Sequence, residues 1–190
     1  VENKMPELPE VQTTVDGLNK KALNRIIVDV WSDHKKMVKK PNNFEAFAEE
    51  LKGKRIEKVW RRAKNIIIDL SDDYSLLIHM KMTGHLLAGL WKFNSKNWVA
   101  VENKVLEEKI NGYLHIIFTL DNGSMIALSD LRKFAKVELW KTEELINSKE
   151  FLAFGPEPLE SSFTLEKFKG ALKNKKGKIK QVLMVPEVIA

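Results

Sequence analysis

Between residues 55 and 140 the chain is a succession of short, apolar, β-branched runs broken by turn residues, and no other feature of the sequence constrains its fold so strongly. Residues 55–60, 65–70, 76–82, 114–120, 124–129 and 136–140 have strand composition, with Ser71, Asp72 and Asp73 as a turn between the second and third. Asp121-Asn122-Gly123 stands between two apolar runs, and Asn-Gly in that setting signals a hairpin, because a type I′ turn needs positive φ at both central residues. Strands joined this tightly pair antiparallel, since a parallel pair needs a crossover of about a dozen residues or more. The expected core is a two-layer antiparallel β-sandwich. Residues 89–112 break the pattern, with Trp91, Phe93 and Trp98 among polar residues, and read as an elaborated loop or irregular hairpin extending from the sheet.

Helical periodicity flanks this region. Val11, Val15, Leu18 and Ala22 recur at spacings of 4, 3 and 4, which puts them on one face of a helix over residues 10–22. Pro9 fits its first turn, where a missing N–H costs nothing, and Glu7 and Glu10 lie near the positive end of its dipole. Residues 25–32 read as a strand, and Asn42-Asn43 cap a helix carrying Phe44, Phe47, Ala48 and Leu51, closed by Gly53. From Thr142 onward the period is helical, with one helix over 143–153 and another over 164–174. Gly155-Pro156-Glu157-Pro158 lies between them as a candidate domain boundary. The fold class is therefore mainly β with α: a sandwich with an N-terminal helix, followed by the start of a helical domain.

The hydrophobic fraction of 44% is that of an ordinary globular protein. No run approaches the roughly 18 apolar residues of a membrane span, and Val1-Glu2-Asn3-Lys4 has no signal-peptide core, so a cytoplasmic protein without membrane attachment is expected. The absence of cysteine excludes disulfides and a Cys-based zinc site within these residues. His34, His79, His85 and His115 have no HxxxH or HxH spacing, so no metal site is expected in this chain. A net charge of +6 suits an anionic partner, though only weakly. Lys167, Lys169, Lys173, Lys175, Lys176, Lys178 and Lys180 crowd one segment, either as a solvated helix face or as a phosphate-contacting one.

Met5-Pro6-Glu7-Leu8-Pro9-Glu10-Val11 resembles the amino terminus of the formamidopyrimidine-DNA glycosylase family, whose mature form begins with the proline. The resemblance runs on through Arg61-Arg62-Ala63-Lys64, similar to the family's lysine-bearing strand, and His79-Met80-Lys81-Met82-Thr83-Gly84, similar to its HLGMTG-type segment. Asp130-Leu131-Arg132-Lys133-Phe134 resembles its D-P-R-R-F motif, and Gly155-Pro156-Glu157-Pro158-Leu159 its GPEPL connection. Ile179-Lys180 with Leu183-Met184 resembles the start of its helix–two-turn–helix module. Six motifs in order are far more specific than any one of them.

The resemblance implies a base-excision repair enzyme that removes oxidised purines (8-oxoguanine, formamidopyrimidine) from double-stranded DNA and cleaves the abasic site by β-elimination. Removal of Met5 would leave Pro6 as a free secondary amine. A terminal amine has a pKa of about 7.7–8.0 against about 10.4 for lysine, so more of it is unprotonated near neutral pH. Attack on the sugar C1′ would expel the base and form a Schiff base. By the same resemblance Glu7 is the general acid/base, Glu10 orients the active-site turn, and Lys64 contacts DNA and assists catalysis. Met82, Arg132 and Phe134 match the residues that fill the gap left by the extruded nucleotide, with Arg132 bonding the orphaned base and Phe134 wedging between base steps. Core packing is the competing role for Met82 and Phe134. His79, Tyr113, Lys133, Lys176 and Lys180 are further candidate DNA contacts.

Several positions depart from the family pattern. Val1 to Met5 precede Pro6, and read as a leader or a mis-called start; with them attached the Pro6 nitrogen is an amide. Leu131, Lys133 and Ala135 replace proline, arginine and glycine, and Lys133 loses bidentate geometry. Tyr113 stands where the family often has a DNA-contacting histidine, two residues before His115. The family would continue beyond Ala190 with a G-x-G-N-x-Y segment and a four-cysteine zinc finger, so zinc is expected there and no cofactor here. The division expected is 1–5 leader, 6–150 catalytic β-sandwich, and 151–190 linker with an incomplete helix–two-turn–helix domain. Val182, Leu183 and Val188 are expected to stand uncovered and this last segment to be marginally ordered, in a monomer. An inactive DNA-binding remnant and an endonuclease VIII-like enzyme for oxidised pyrimidines remain as alternatives.

Overall fold

A computed structural model describes residues 6–101 and 105–190; the segment 1–5, read above as a leader, lies outside them. In chain order the elements are α1 (Leu8–Ala22), β1 (Ile27–Ser32), β2 (Val38–Lys40), α2 (Phe44–Leu51), β3 (Ile56–Arg62), β4 (Asn65–Leu70), β5 (Tyr74–His79) and β6 (Gly84–Gly89). There follow β7 (Trp91–Phe93), β8 (Trp98–Ala100), β9 (Leu114–Leu120), β10 (Met125–Asp130), β11 (Lys136–Lys141), α3 (Thr142–Ile146), α4 (Lys149–Ala153), α5 (Leu165–Leu172) and α6 (Ile179–Leu183).

The expected sandwich forms. One sheet has the order β1-β9-β10-β6 and the other β2-β11-β5-β4-β3. All pairs are antiparallel except β11 with β2. Alternate residues face inward: Ile66, Ile68, Leu76, Ile78, Val137 and Leu139 from the larger sheet meet Ile116, Phe118, Ile126 and Leu128 from the smaller. Burying each such side chain contributes about 1.5–3 kcal/mol.

Two helices close the open sides of this sandwich. α1 packs on β3 and β6, one edge strand from each sheet, and buries Val11, Val15, Leu18 and Ala22, the face its spacing defines. Asn19 covers the β3 edge with both ends of its amide: Nδ2 donates to Val59 O at 2.7 Å, and Val59 N–H donates to Oδ1 at 3.3 Å. α2 packs on the opposite edges, β1 and β2, through Phe47 and Leu51. Its cap is Asn43, whose side chain accepts from Ala46 N–H, and Gly53 beyond it has φ +84°. Edges covered in this way are protected from pairing with another chain.

Three expectations need correction. The strand read over 76–82 ends at His79, because residues 80–83 turn from the larger sheet into the smaller one. The helix read over 143–153 is two helices, since the Ser148 side chain accepts from Phe151 N–H and starts a new one. The hairpin β7–β8 does not extend away from the sheet. It folds back over the outer face of the smaller sheet, where Trp91, Leu106, Leu114, Ile117 and Ala127 form a second apolar cluster, and this is why β9 is buried on both faces.

Candidate active site and nucleic-acid interface

Strand register gathers the site. Arg62 pairs with Asn65, Asn65 with His79, and His79 with Lys136, so the β3–β4, β5–β6 and β10–β11 turns all emerge at one end of the larger sheet. These turns carry Lys64, Met82, and Arg132 with Phe134. Each contains a left-handed residue that is not glycine, asparagine or aspartate: Ala63 (φ +51°), Lys81 (φ +58°) and Lys133 (φ +57°). Such residues are uncommon outside glycine and persist where surrounding structure holds them.

The N-terminus of α1 reaches this end. Glu7 is its N-cap residue, and the Glu7 N–H donates to Glu10 Oε2 at 3.1 Å, so Glu10 fixes the turn that presents Pro6 and Glu7. Lys64 Nζ lies 2.6 Å from Glu7 Oε2, with both side chains part-exposed. Two residues far apart in sequence thus share one ion pair, and Pro6, buried, directly precedes it.

A second constellation stands on the β5–β6 and β10–β11 turns. Arg132 Nη1 lies 3.1 Å from Met82 Sδ, and its guanidinium sits 4.6 Å from the Phe134 ring centre. Met82 and Phe134 are 40% and 50% exposed, which rules out a core role for both. Asp130 holds the corner from within, at 0% exposure. One carboxylate oxygen accepts from the Thr83 hydroxyl and, at 3.1 Å, from Arg132 N–H; the other accepts from Phe134 N–H at 2.7 Å and Ala135 N–H at 2.8 Å. Four donors offset the cost of burying the charge. Gly84 closes the facing turn, since a Cβ there would lie 2.3 Å from Met80 O.

His79 stands between the two constellations. Its Nδ1 accepts from Lys81 N–H at 3.0 Å, which leaves the ring proton on Nε2. Burial, then Lys81, Lys136 and Lys64, lower its pKa to about 4, so it is a neutral donor at physiological pH. Tyr113 lies behind the corner, its carbonyl accepting from Asp130 N–H at 2.9 Å. Lys133 is exposed beside Arg132, its N–H donating to Asp130 O at 3.2 Å, and Lys176 and Lys180 are exposed on the α5–α6 segment, where among the described residues no hydrogen bond or ion pair joins their side chains to the site.

The Gly155-Pro156-Glu157-Pro158 connection is fastened to the Lys64 turn. Glu157, 7% exposed, pairs with Arg61 Nη1 at 2.5 Å and Arg62 Nη1 at 3.3 Å, and accepts from Ala63 N–H at 2.7 Å. The segment after α6 folds onto the same connection: Gly155 N–H donates to Pro186 O at 2.9 Å and Ala190 N–H to Pro156 O at 3.1 Å. Val182 and Val188 are therefore buried, contrary to expectation, while Leu183 is 38% exposed. The sequence reading assigned no role to Asp130, Glu157 or Lys136. Glu157 was visible only as part of a motif.

Fold and site together define a class: a β-sandwich whose N-terminal helix delivers its first residues to a strand-turn lysine, beside an exposed Met–Arg–Phe corner. Residues 5–137 match the formamidopyrimidine-DNA glycosylase N-terminal domain, and the chain belongs to that family. It is 33% identical over 186 residues to the formamidopyrimidine-DNA glycosylase of Ligilactobacillus salivarius, covering 98% of this chain and 61% of that protein. To the Rickettsia conorii protein of the same name it is 36% identical over 188 residues, covering 97% and 61%. A Lactococcus lactis Fpg bound to DNA containing N7-benzyl-Fapy-dG matches with a TM-score of 0.78 and 28% identity, over 97% of this chain and 62% of that one. The same enzyme with abasic-site DNA matches with a TM-score of 0.78 and 27% identity, over 97% and 62%. The chain thus spans about three fifths of the length of these relatives.

Proposed function

We propose that this chain is the catalytic part of a base-excision repair glycosylase acting on oxidised purines in duplex DNA, with abasic-site lyase activity. The observation that carries the reading is the 2.6 Å meeting of Glu7 and Lys64 next to Pro6, at the same end of the sandwich as the Met82–Arg132–Phe134 corner. The Fpg relatives in complex with Fapy-dG and abasic-site DNA support the partner.

In the chemistry proposed, a free Pro6 amine attacks the sugar C1′, the glycosidic bond breaks with its electrons on the departing base, and the proton that the nitrogen then gives up goes to that base. Glu7 protonates the ring oxygen as the sugar opens, and the nitrogen lone pair completes an iminium. The iminium accepts the electrons released when the C2′ proton is removed, so the C3′–O bond breaks and the strand is cut; water then frees the amine. Lys64 holds Glu7 and a backbone phosphate. Arg132 supplies donors for the orphaned base, while Met82 and Phe134 occupy the vacated stack. Lys176 and Lys180 contact flanking phosphates, in a monomer divided near residue 150. The family's zinc finger has no counterpart in these residues: the chain has no cysteine, and among the described residues no group of His, Asp and Glu could hold a metal ion.

The test is borohydride trapping on abasic-site and 8-oxoguanine duplexes by a form beginning at Met5, with methionine removal verified by mass. A covalent protein–DNA species that Pro6→Gly abolishes is the expected result. A thymine glycol duplex trapped in preference to 8-oxoguanine would instead favour the oxidised-pyrimidine reading.

A further inference from the structure

The β5–β6 turn carries two methionines and treats them oppositely. Met80 is 3% exposed and Met82 40%. Met37 is buried like Met80, and Met184, on the C-cap of α6, is exposed like Met82. The sulfur of Met82 is set apart by its company, since Arg132 Nη1 donates to Sδ at 3.1 Å. The backbone on either side of this contact is pinned. Thr83 is buried with its hydroxyl on Asp130, and Arg132 N–H donates to Thr83 Oγ1 at 3.2 Å and to Asp130 Oδ1 at 3.1 Å. Sulfur and guanidinium thus face each other from two turns that are tied together.

We propose that Met82 is an oxidation site, and that its sulfoxide holds Arg132 back from the orphaned base and so weakens recognition of a damaged duplex. The inference rests on the nucleic-acid reading given above.

The oxidant is hydrogen peroxide or an organic hydroperoxide. A sulfur lone pair attacks the terminal peroxide oxygen, and the O–O bond breaks with its electrons on the departing hydroxide or alkoxide. That group takes up the proton left on the transferred oxygen, so sulfur is oxidised and the peroxide is reduced to water or an alcohol. A thioether is a weak acceptor with two lone pairs, so the one turned to Arg132 leaves the other for this attack. The new oxygen is one bond from a sulfur already in contact with Nη1. The guanidinium therefore exchanges a weak acceptor for a strong one, in a charge-assisted hydrogen bond. That bond competes with the donors the proposed function assigns to the orphaned base. The same step makes polar a side chain whose proposed place is in the vacated stack. Phe134, 4.6 Å from the guanidinium, holds Arg132 from its other side, so the oxidised corner stays closed on itself. A methionine sulfoxide reductase reverses the change.

The experiment treats the 190-residue chain with dilute hydrogen peroxide. Peptide mass spectrometry should find the added oxygen at Met82 and Met184 before Met37 and Met80, with the urea midpoint unchanged. Fluorescence anisotropy at low salt then compares a duplex carrying a tetrahydrofuran abasic analogue opposite cytosine with an undamaged duplex. Oxidation should lower affinity for the first about tenfold, the scale of one lost base contact, and leave the second nearly unchanged. Methionine sulfoxide reductases should restore it. Met82→Gln, with a permanent side-chain oxygen, should show the lowered affinity without peroxide. Met82→Leu, whatever its own affinity, should not respond to peroxide, and this separates Met82 from Met184. The Arg132 side-chain N–H signals should move on oxidation of wild type and stay in place in Met82→Leu. Sulfoxide at Met82 with affinity unchanged overturns the proposal and leaves the nucleic-acid reading standing, as does a peroxide response retained in Met82→Leu. An untreated chain that binds neither duplex overturns both.

Discussion

Protonating His79 would remove the acceptor that Lys81 N–H uses and place a third cation beside Lys81 and Lys136. Burial and these lysines hold its pKa at about 4 against 6.5 for a free imidazole, so in the window between those values the unfolded chain binds the extra proton and the folded chain does not. Stability contributed by the neutral ring is thus intact above pH 6.5 and falls as the pH drops towards 4. The loss should be about 2 kcal/mol once solvent screening is allowed for. His34 and His85 are shifted in the same direction, His34 chiefly by burial and then Lys133, and His85 by burial. Urea unfolding at pH 7 and 4.5 should therefore show a smaller loss in His79→Gln than in wild type, and equal losses would sink the assignment. Asp130→Ala should cost about 3 kcal/mol or more in the same assay, because it leaves the Thr83 hydroxyl and the Phe134 and Ala135 N–H groups without their acceptor, and Arg132 N–H with the Thr83 hydroxyl oxygen alone. Asp130 shows where sequence reading stops at this scale. Pro6, Glu7 and Lys64 lie in short contiguous motifs, and Asp130 heads one as well, yet that motif does not say what the carboxylate does. The role of Asp130 depends on Thr83, 47 positions away, and on a turn that exists only once β10 has paired with β6.

Among the elements, those defined by local rules were legible and those defined by distant packing were not. α1 and α2 follow from apolar spacing and an asparagine cap, and β4 and β9 have the bounds their composition predicts. Ser148, by contrast, splits a helix whose periodicity gives no sign of the break. The return of the β7–β8 hairpin onto the smaller sheet depends on Trp91 and Ile117, whose burial the local pattern of residues 89–112 does not encode. Glu157 joins two elements in a way that can be measured. Glu157→Gln would leave Arg61 and Arg62 near each other without a counter-charge in a nearly dry site, a loss of about 3 kcal/mol or more. It would also loosen the Ala63 turn that carries Lys64. Thermal unfolding should register the first effect. Raised hydrogen exchange at Ala63 and Lys64 should register the second, and exchange left unchanged there would contradict the coupling.

At the level of the whole molecule, the chemistry proposed above turns on the covalent bond that joins residue 5 to Pro6. With residues 1–5 joined to it, the Pro6 nitrogen is a tertiary amide whose lone pair is delocalised into the peptide bond. Such a nitrogen forms no iminium, so the 190-residue chain should not trap on abasic DNA. A form starting at Met5 that loses the methionine exposes the amine and, on the proposed function, should trap, with the Glu7–Lys64 ion pair beside it. Its affinity should still be low if phosphate contacts of the family lie beyond Ala190, because such contacts dominate binding and are weakened by salt. The comparison therefore belongs at low salt and high DNA concentration. It sets the 190-residue chain, the Met5 form, and the Met5 form carrying Pro6→Gly or Glu7→Gln side by side, with each repeated as a fusion to an intact C-terminal module from a relative. Trapping by the Met5 form alone, lost in Pro6→Gly and reduced in Glu7→Gln, is the expected pattern. Equal trapping with and without residues 1–5 would exclude Pro6 and direct attention to Lys64, the nearest amine to Glu7. Silence from every form, the fusions included, would mean a DNA-binding remnant without chemistry.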